Sequence, residues 1–120
     1  MMDLIVHTPH GAQPILIDVT VVSALAREAM AAGAPRRDGV AAGVAARHKR
    51  AKYPNCTVTP FVIEDHGRFG EDALSLVRRL APPAKSKRSS AIRRLYQSLG
   101  SVLQRHAADA VIAATTCRRC

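Results

Sequence analysis

One carboxylate lies in the middle of a run that is otherwise apolar and mostly β-branched. Asp18 is the only charged residue between Ile15 and Val22. Because side chains alternate between the two faces of a β-strand, the run predicts two distinct faces: Ile15, Ile17, Val19 and Val21 on one, and Leu16, Asp18, Thr20 and Val22 on the other. Burying an ionised carboxylate is costly unless it is paired, hydrogen-bonded or bound to a metal. Asp18 therefore needs a partner.

A second acidic residue precedes this strand. Asp3 opens a short apolar run that ends at His7, and residues common in turns fill positions 8–14 between the two runs. This order predicts a β-hairpin that brings Asp3 close to Asp18. Two neighbouring carboxylates are the minimum for holding a Mg²⁺ ion.

Side chains farther along the chain complete a set that suits phosphodiester hydrolysis. Lys49 and Lys52 lie near the end of a predicted helix, and Glu64 ends a later apolar run. Carboxylates hold a metal ion that lowers the pKa of a bound water, and a lysine stabilises the charge that develops on phosphate. Asp3, Asp18 and Glu64 are the candidate metal ligands, and Asp3, Asp18, Lys49 and Lys52 are the candidate catalytic residues. The alternative is a structural carboxylate and exposed lysines.

The elements that must position these residues follow the order β-β-α-β-α, then a linker and a last helix. This order indicates a small α/β domain with a helical appendage. Ser23 is the expected N-cap of a short helix that ends near Ala34. Asp38 is the expected N-cap of a longer helix that runs to about Tyr53.

The third strand and the helix after it have clear boundaries. The strand spans about residues 57–64, and Pro60 within it indicates a sheet edge or a bulge. Gly67 and Gly70 frame a tight loop. A helix with a buried stripe over residues 71–80 follows, with Ala73, Leu74, Val77 and Leu80 on its apolar face.

Three regions are predicted. Residues 1–80 form the α/β core, residues 81–90 a basic Pro/Ser linker, and residues 91–120 an amphipathic helix with a basic tail. The apolar stripe of that helix is Ile92, Leu95, Tyr96, Leu99, Val102, Leu103 and His106. Cys117 and Cys120 form a C-x-x-C motif, which occurs in zinc sites. Because a zinc site needs four ligands, we interpret these cysteines as part of the basic tail.

Charge is unevenly distributed along the 120 residues. Residues 1–72 hold eight Lys/Arg and eight Asp/Glu, whereas residues 73–120 hold ten Lys/Arg against Asp109 alone, which accounts for the net charge of +9. A basic half indicates a polyanionic partner, and we favour nucleic acid over an anionic membrane surface or a solvated face without a partner. The chain has no apolar run of membrane-spanning length and no signal-peptide pattern, so we expect an intracellular protein. Three cysteines do not indicate a disulfide framework.

Several of these segments together resemble one family. They are Asp3-Leu4-Ile5-Val6, Ile17-Asp18-Val19-Thr20-Val21, Lys49-Arg50-Ala51-Lys52-Tyr53, and Pro60-Phe61-Val62-Ile63-Glu64 followed by Gly67 and Gly70. In this order they are similar to the restriction-endonuclease-like domain downstream of the reverse transcriptase in certain non-LTR retrotransposons. The resemblance covers residues 3–80 and rests on the order of short segments.

The resemblance implies a PD-(D/E)xK nuclease fold that nicks target DNA with Mg²⁺ or Mn²⁺. By position, Asp3 and Asp18 match the two acidic metal ligands. Thr20 occupies the position where the usual motif has its lysine, and Lys49 or Lys52 from the following helix would replace it. Two departures, Met2 in place of the family's proline and the lack of a polymerase domain, indicate a fragment, a misjudged start or a decayed copy.

The sequence thus favours a metal-dependent DNA endonuclease domain of a retrotransposon-derived protein. DNA, a reverse transcriptase domain and an RNA template complex are the implied partners, without a membrane, and the nucleus is the implied location. The alternative is a non-catalytic, degenerate nucleic-acid-binding module that uses the basic half. The candidate phosphate contacts are Lys85, Lys87, Arg88, Arg93 and Arg94.

Overall fold

A three-stranded mixed sheet forms the centre of the first part of the chain. The computed structural model describes residues 3–7, 13–81 and 85–117. Its strands are β1 (Leu4–Val6), β2 (Ile15–Val22) and β3 (Val58–Glu64), and its helices are α1 (Arg27–Ala31), α2 (Val40–Lys52), α3 (Glu71–Leu80) and α4 (Lys85–Cys117). The strand order is β1-β2-β3, with β1 antiparallel and β3 parallel to β2. The predicted α/β class, with a small mixed sheet and helices, is confirmed. Positions 8–12 of the predicted hairpin turn lie outside the described residues.

The two faces of β2 pack against different helices, as its alternating pattern predicts. Ile15 and Ile17 are buried in one cluster with Leu76 of α3. On the other face, the cluster consists of Ala42, Ala46 and Val62, with Val22 and Ala45 packed against it. The side chains facing α2 are therefore small, which lets the helix approach the sheet closely.

Both predicted N-caps are wrong. The helix α1 begins at Arg27, four residues after Ser23, whose hydroxyl instead accepts the Leu25 N–H at 3.2 Å. The helix α2 begins at Val40 after Gly39, which has φ +74° and supplies no side-chain cap. The left-handed conformation at position 39 is one that glycine adopts without strain, so the chain turns there and Asp38 lies outside the helix.

Pro60 lies on an edge strand, which confirms the edge predicted from its sequence. The backbone groups of Val62 and Glu64 point outward, because the Val62 carbonyl accepts the Gly70 N–H at 2.8 Å and the Glu64 N–H donates to the Arg68 carbonyl at 2.7 Å. Alternate residues of a strand point the same way, so position 60 also points outward. A proline there removes no hydrogen bond to β2. Gly67, at φ +97°, makes the predicted turn.

The bounds predicted for α3 are confirmed, but its apolar face is shifted. The buried residues of α3 are Ala73, Leu76 and Val77. Leu80 was expected on this face and is instead half exposed, while Leu76 joins the core under β2.

Residues from Leu80 onward form a second unit dominated by α4. The helix begins at Lys85, so residues 85–90 of the predicted linker are its first turns, and residues 82–84 lie outside the described ones. The predicted stripe is partly confirmed, since Ile92, Tyr96, Leu99 and Leu103 are half-buried whereas Leu95, Val102 and His106 are exposed. No helix within the described ranges has the length and apolar character that crossing a membrane requires.

Candidate active site

A buried ion pair joins the central strand to the end of α2. The Lys49 Nζ lies 2.5 Å from the Asp18 Oδ1, and the Asp18 side chain is 2 % exposed against 22 % for Lys49. Thirty-one positions separate the two residues in the sequence. The strand turns Asp18 toward α2, and Lys49 reaches it from the last turn of that helix. The structure thus brings together two of the predicted site residues and supplies the partner that Asp18 needs.

The charges around Asp18 favour its ionised form. Burial alone raises the pKa of Asp18, but hydrogen bonds from Lys49 and Tyr53 and the positive charges of Lys49 and Lys52 outweigh it, so the pKa lies below its ordinary value. Of the two candidate lysines, Lys49 makes the direct contact. The Lys52 Nζ lies 5.2 Å from the centroid of the Tyr53 ring and acts on Asp18 through its charge.

One oxygen of Asp18 lacks a hydrogen-bond donor. Its Oδ2 is fully buried and has no hydrogen-bond partner in the described parts of the chain. Buried polar atoms are normally satisfied, and an exception calls for an explanation such as a bound water or ion. The Oδ2 is therefore the polar atom of this site whose partner the described residues do not supply.

Asp3 extends the pairing of β1 with β2 through its side chain. Its Oδ2 accepts the Val19 N–H at 2.8 Å. The register pairs Leu4 with Ile17, so one further step places Asp3 opposite Asp18. Opposed residues of an antiparallel pair have Cβ atoms about 5 Å apart. An ion shared by the carboxylates of Asp3 and Asp18 stays a prediction.

Glu64 is buried for a structural reason, and its predicted place beside Asp18 is wrong. Its Oε1 accepts the Ala42 N–H at 3.1 Å in the first turn of α2, and its Oε2 lies 3.2 Å from the His66 Nε2. In the β2–β3 register Glu64 pairs with Val22 and Pro60 with Asp18. The four-residue offset corresponds to about 13 Å along the strand, too far for one metal ion. Glu64 caps the helix that has no side-chain cap of its own.

Replacing Glu64 with Ala is expected to lower the free energy of unfolding by about 1–2 kcal/mol, the usual cost of losing a helix cap. The change leaves the Ala42 N–H of α2 without its acceptor. Urea denaturation followed by circular dichroism measures the effect. A matched His66→Ala variant keeps the cap and removes a half-exposed contact, so it should lose less than about 1 kcal/mol. Equal stability of Glu64→Ala and the wild type would contradict the capping role.

Two interactions near Glu64 were not foreseen. A hydrogen bond from Ser23 holds the pKa of Asp65 below its ordinary value against partial burial, with a further contribution from His66. The Asp65 N–H donates to the Val22 carbonyl at 2.9 Å. His66, 56 % exposed, lies between the carboxylates of Glu64 and Asp65. These contacts hold the turn after β3 in place.

Lys49 also faces solvent through a shallow cavity of about 240 Å³. Thr20, the residue at the position of the family's motif lysine, lines this cavity with Lys49 and His48. Glu28 pairs with His48 at its rim, where the Nε2–Oε1 distance is 2.7 Å. Lys49 is therefore the member of the buried pair that an incoming molecule meets first.

The basic residues of α4 belong to the second unit. Lys87, Arg93 and Arg94 are exposed and Arg88 is half-buried. All four, with the backbone of Lys85, belong to one continuous helix. The side chains of Lys85 and Cys117 and the whole of Cys120 lie outside what the structure describes.

The sequence missed one residue of the site, Tyr53, which helps to hold the pKa of Asp18 below its ordinary value. The available signal was its position directly after the Lys49–Lys52 turn.

Within the described residues, no three His, Cys, Asp or Glu side chains form a group that could hold a metal ion by themselves. Comparisons of the chain with protein-family models, with curated proteins and with solved structures gave no match.

Proposed function

We propose that this chain is a metal-dependent nuclease domain that nicks DNA by phosphodiester hydrolysis. The observation that carries the proposal is the buried Asp18–Lys49 pair with its unpaired Oδ2. A carboxylate and a lysine that are far apart in sequence form this pair, and the resemblance to the retrotransposon endonucleases makes both of them candidate site residues. The retrotransposon origin, the reverse transcriptase or RNA partner and a nuclear site of action form part of the same proposal.

The residues present fit one Mg²⁺ or Mn²⁺ ion held by few protein ligands. Mg²⁺ is commonly bound by one or two carboxylates, with waters and substrate phosphates filling the other positions, so a group of three protein ligands is not required. Asp18, through the buried Oδ2, and Asp3 would hold the ion. Once bound, the ion lowers the pKa of a water molecule and polarises the phosphate.

The chain's own residues divide the remaining work. Asp18 stays ionised because Lys49, Tyr53 and Lys52 lower its pKa. Lys49 lines the cavity and offers its ammonium group to a phosphate oxygen, where it stabilises the negative charge that develops during attack.

A second candidate function is nucleic-acid binding without catalysis. It is favoured by the close contact between Lys49 and Asp18, which neutralises the carboxylate within the protein. The excess of cations after residue 72 would then carry the binding. This alternative predicts salt-dependent DNA binding and no cleavage with any divalent metal ion.

Conversion of supercoiled plasmid to the nicked form tests the leading proposal. The wild type should nick with Mg²⁺ or Mn²⁺ and stop when EDTA is added. Asp18→Asn should reduce the rate about 100-fold, because the metal loses an anionic ligand in a site where charge stabilisation dominates. Asp109→Asn, the same chemical change at an exposed position of α4, should leave the rate unchanged.

Two further variants keep the test decisive if Asp18→Asn does not fold. Asp3 is exposed, so Asp3→Asn should fold and still lose metal-dependent nicking. Isothermal titration of Mn²⁺ into the wild type and Asp3→Asn should show weaker binding by the variant. Nicking that survives in EDTA, or equally in both aspartate variants, would refute the proposal. DNA binding by a folded wild type that never cleaves would establish the alternative.

A further inference from the structure

A groove beside the edge strand carries a concentration of arginines that the Asp18 site does not use. It lies between α2 and the segment that leads into α3, with Pro60 and Val62 of β3 in its wall, and its volume is about 730 Å³. Volumes of this size are typical of ligand sites. Four of the described arginines line it, and we call it the arginine groove; they are Arg37, Arg47, Arg50 and Arg68.

Two of these arginines are paired with carboxylates of the groove. The Arg50 Nη2 lies 2.6 Å from the Asp72 Oδ1, and the Arg68 Nη1 lies 3.0 Å from the Asp38 Oδ2. All of these side chains except Asp72 are well exposed, so the pairs contribute little stability. A guanidinium has five N–H donors, and each paired arginine keeps donors for another acceptor.

Arg37 and Arg47 carry the remaining positive charge. The Arg37 Nη2 donates to the Ala32 carbonyl at 3.0 Å, which positions the group without neutralising it. Glu71 is the third carboxylate that lines the groove. The four arginines therefore outnumber the three carboxylates that line the groove. Arg37 and Arg47 are the residues of the groove that would contact a bound anion.

The guanidinium groups are spread along α2 rather than gathered at one point. The Arg68 Nε lies 3.5 Å from the position that a Cβ on Gly39 would take, and the Arg47 Nη1 lies 4.0 Å from the equivalent position on Gly43. From Gly39 to Gly43 the helix rises about 6 Å. A single phosphate needs donors that converge, whereas a row of donors suits a row of phosphates.

We infer that the arginine groove binds the phosphate backbone of a nucleic acid. This inference deepens the proposed function, on which it rests for the identity of the polyanion. It gives the α/β unit its own backbone contacts in addition to the basic residues of α4. Such contacts position a duplex without reading its sequence.

Fluorescence anisotropy of a labelled 20-base-pair duplex in EDTA, at several KCl concentrations, tests the inference. The Arg37→Gln/Arg47→Gln double variant removes two contacts and leaves both ion pairs intact. Its slope of log affinity against log salt should be smaller than that of the wild type by about 1.8. Between 50 and 200 mM KCl the wild type loses affinity by some factor, and the corresponding factor for the double variant should be about twelve times smaller.

The matched control is Arg27→Gln/Arg36→Gln, which removes the same charge from exposed positions that do not line the groove. Its slope should equal that of the wild type. Equal slopes for the two double variants would overturn the arginine groove as a binding site and leave the nuclease proposal standing. The anisotropy measurement is made in EDTA, without a divalent metal ion. Its result therefore does not depend on whether the chain cleaves DNA, which the Asp18→Asn variant tests separately. A wild type without salt-dependent binding would refute both proposals.

Discussion

Replacing Lys49 with Met is expected to lower the free energy of unfolding of the α/β unit by about 3 kcal/mol or more. The change leaves the Asp18 carboxylate, 1 % exposed, without its cation in the interior. Removing one partner of a buried ion pair costs about 3–5 kcal/mol, because the other charge remains buried and uncompensated. Urea denaturation at pH 7 measures the difference.

A double substitution separates this explanation from loss of packing. In Asp18→Leu/Lys49→Met both charges are gone, and stability should recover to near the wild-type value. Lys52→Met is the matched control, because Lys52 is exposed and affects Asp18 only through its charge. It should change stability by less than about 1 kcal/mol. A Lys49→Met variant as stable as the wild type would show that the pair makes no contribution.

Replacing Ile17 with Ala is expected to cost about 3 kcal/mol, within the range for buried isoleucines. Ile17 is 4 % exposed and packs with Ile15 and Leu76 between β2 and α3. The buried core on the α2 face consists largely of alanines, which contribute little apolar area. The unit therefore depends strongly on the few large side chains of the opposite face.

Ile5→Ala is the matched control for this prediction. Ile5 is in β1 and is 55 % exposed, so its truncation removes the same atoms at small cost. Thermal unfolding of both variants and the wild type gives the comparison. Similar losses in the two isoleucine variants would mean that the α3 face is not the main source of stability.

The sequence was sufficient for the central strand and for the need of Asp18 for a partner, and it named Lys49 as a candidate catalytic residue rather than as that partner. A period of two over eight residues, with one carboxylate, defines both the faces of β2 and the need for a cation near Asp18. Lys49 was one of two candidates, and the structure distinguishes them because position 49 faces the sheet and position 52 the ring of Tyr53. The local sequence pattern was enough for β2 because the burial of the strand imposes the alternation of its side chains.

The residues that sequence reasoning misplaced depend on long-range contacts. Glu64 was interpreted as a metal ligand because it is acidic and ends a strand, yet its partner is an N–H of α2 twenty-two residues earlier. Asp38 has the usual residue type of an N-cap, but the backbone conformation of Gly39 sets the start of α2. Neither the strand register nor the distant helix end can be seen in a local pattern.

The position of Pro60 also bears on how this chain behaves at high concentration. Exposed strand edges act as templates on which a second copy can add its own strand, and proline is one of the residues that natural proteins use to prevent this. On β3 the segment of residues 68–70 already occupies the outward groups of Val62 and Glu64. Pro60 offers no donor at the next outward position. Sheet extension across this edge is therefore blocked, and copies of the chain should not polymerise through β3.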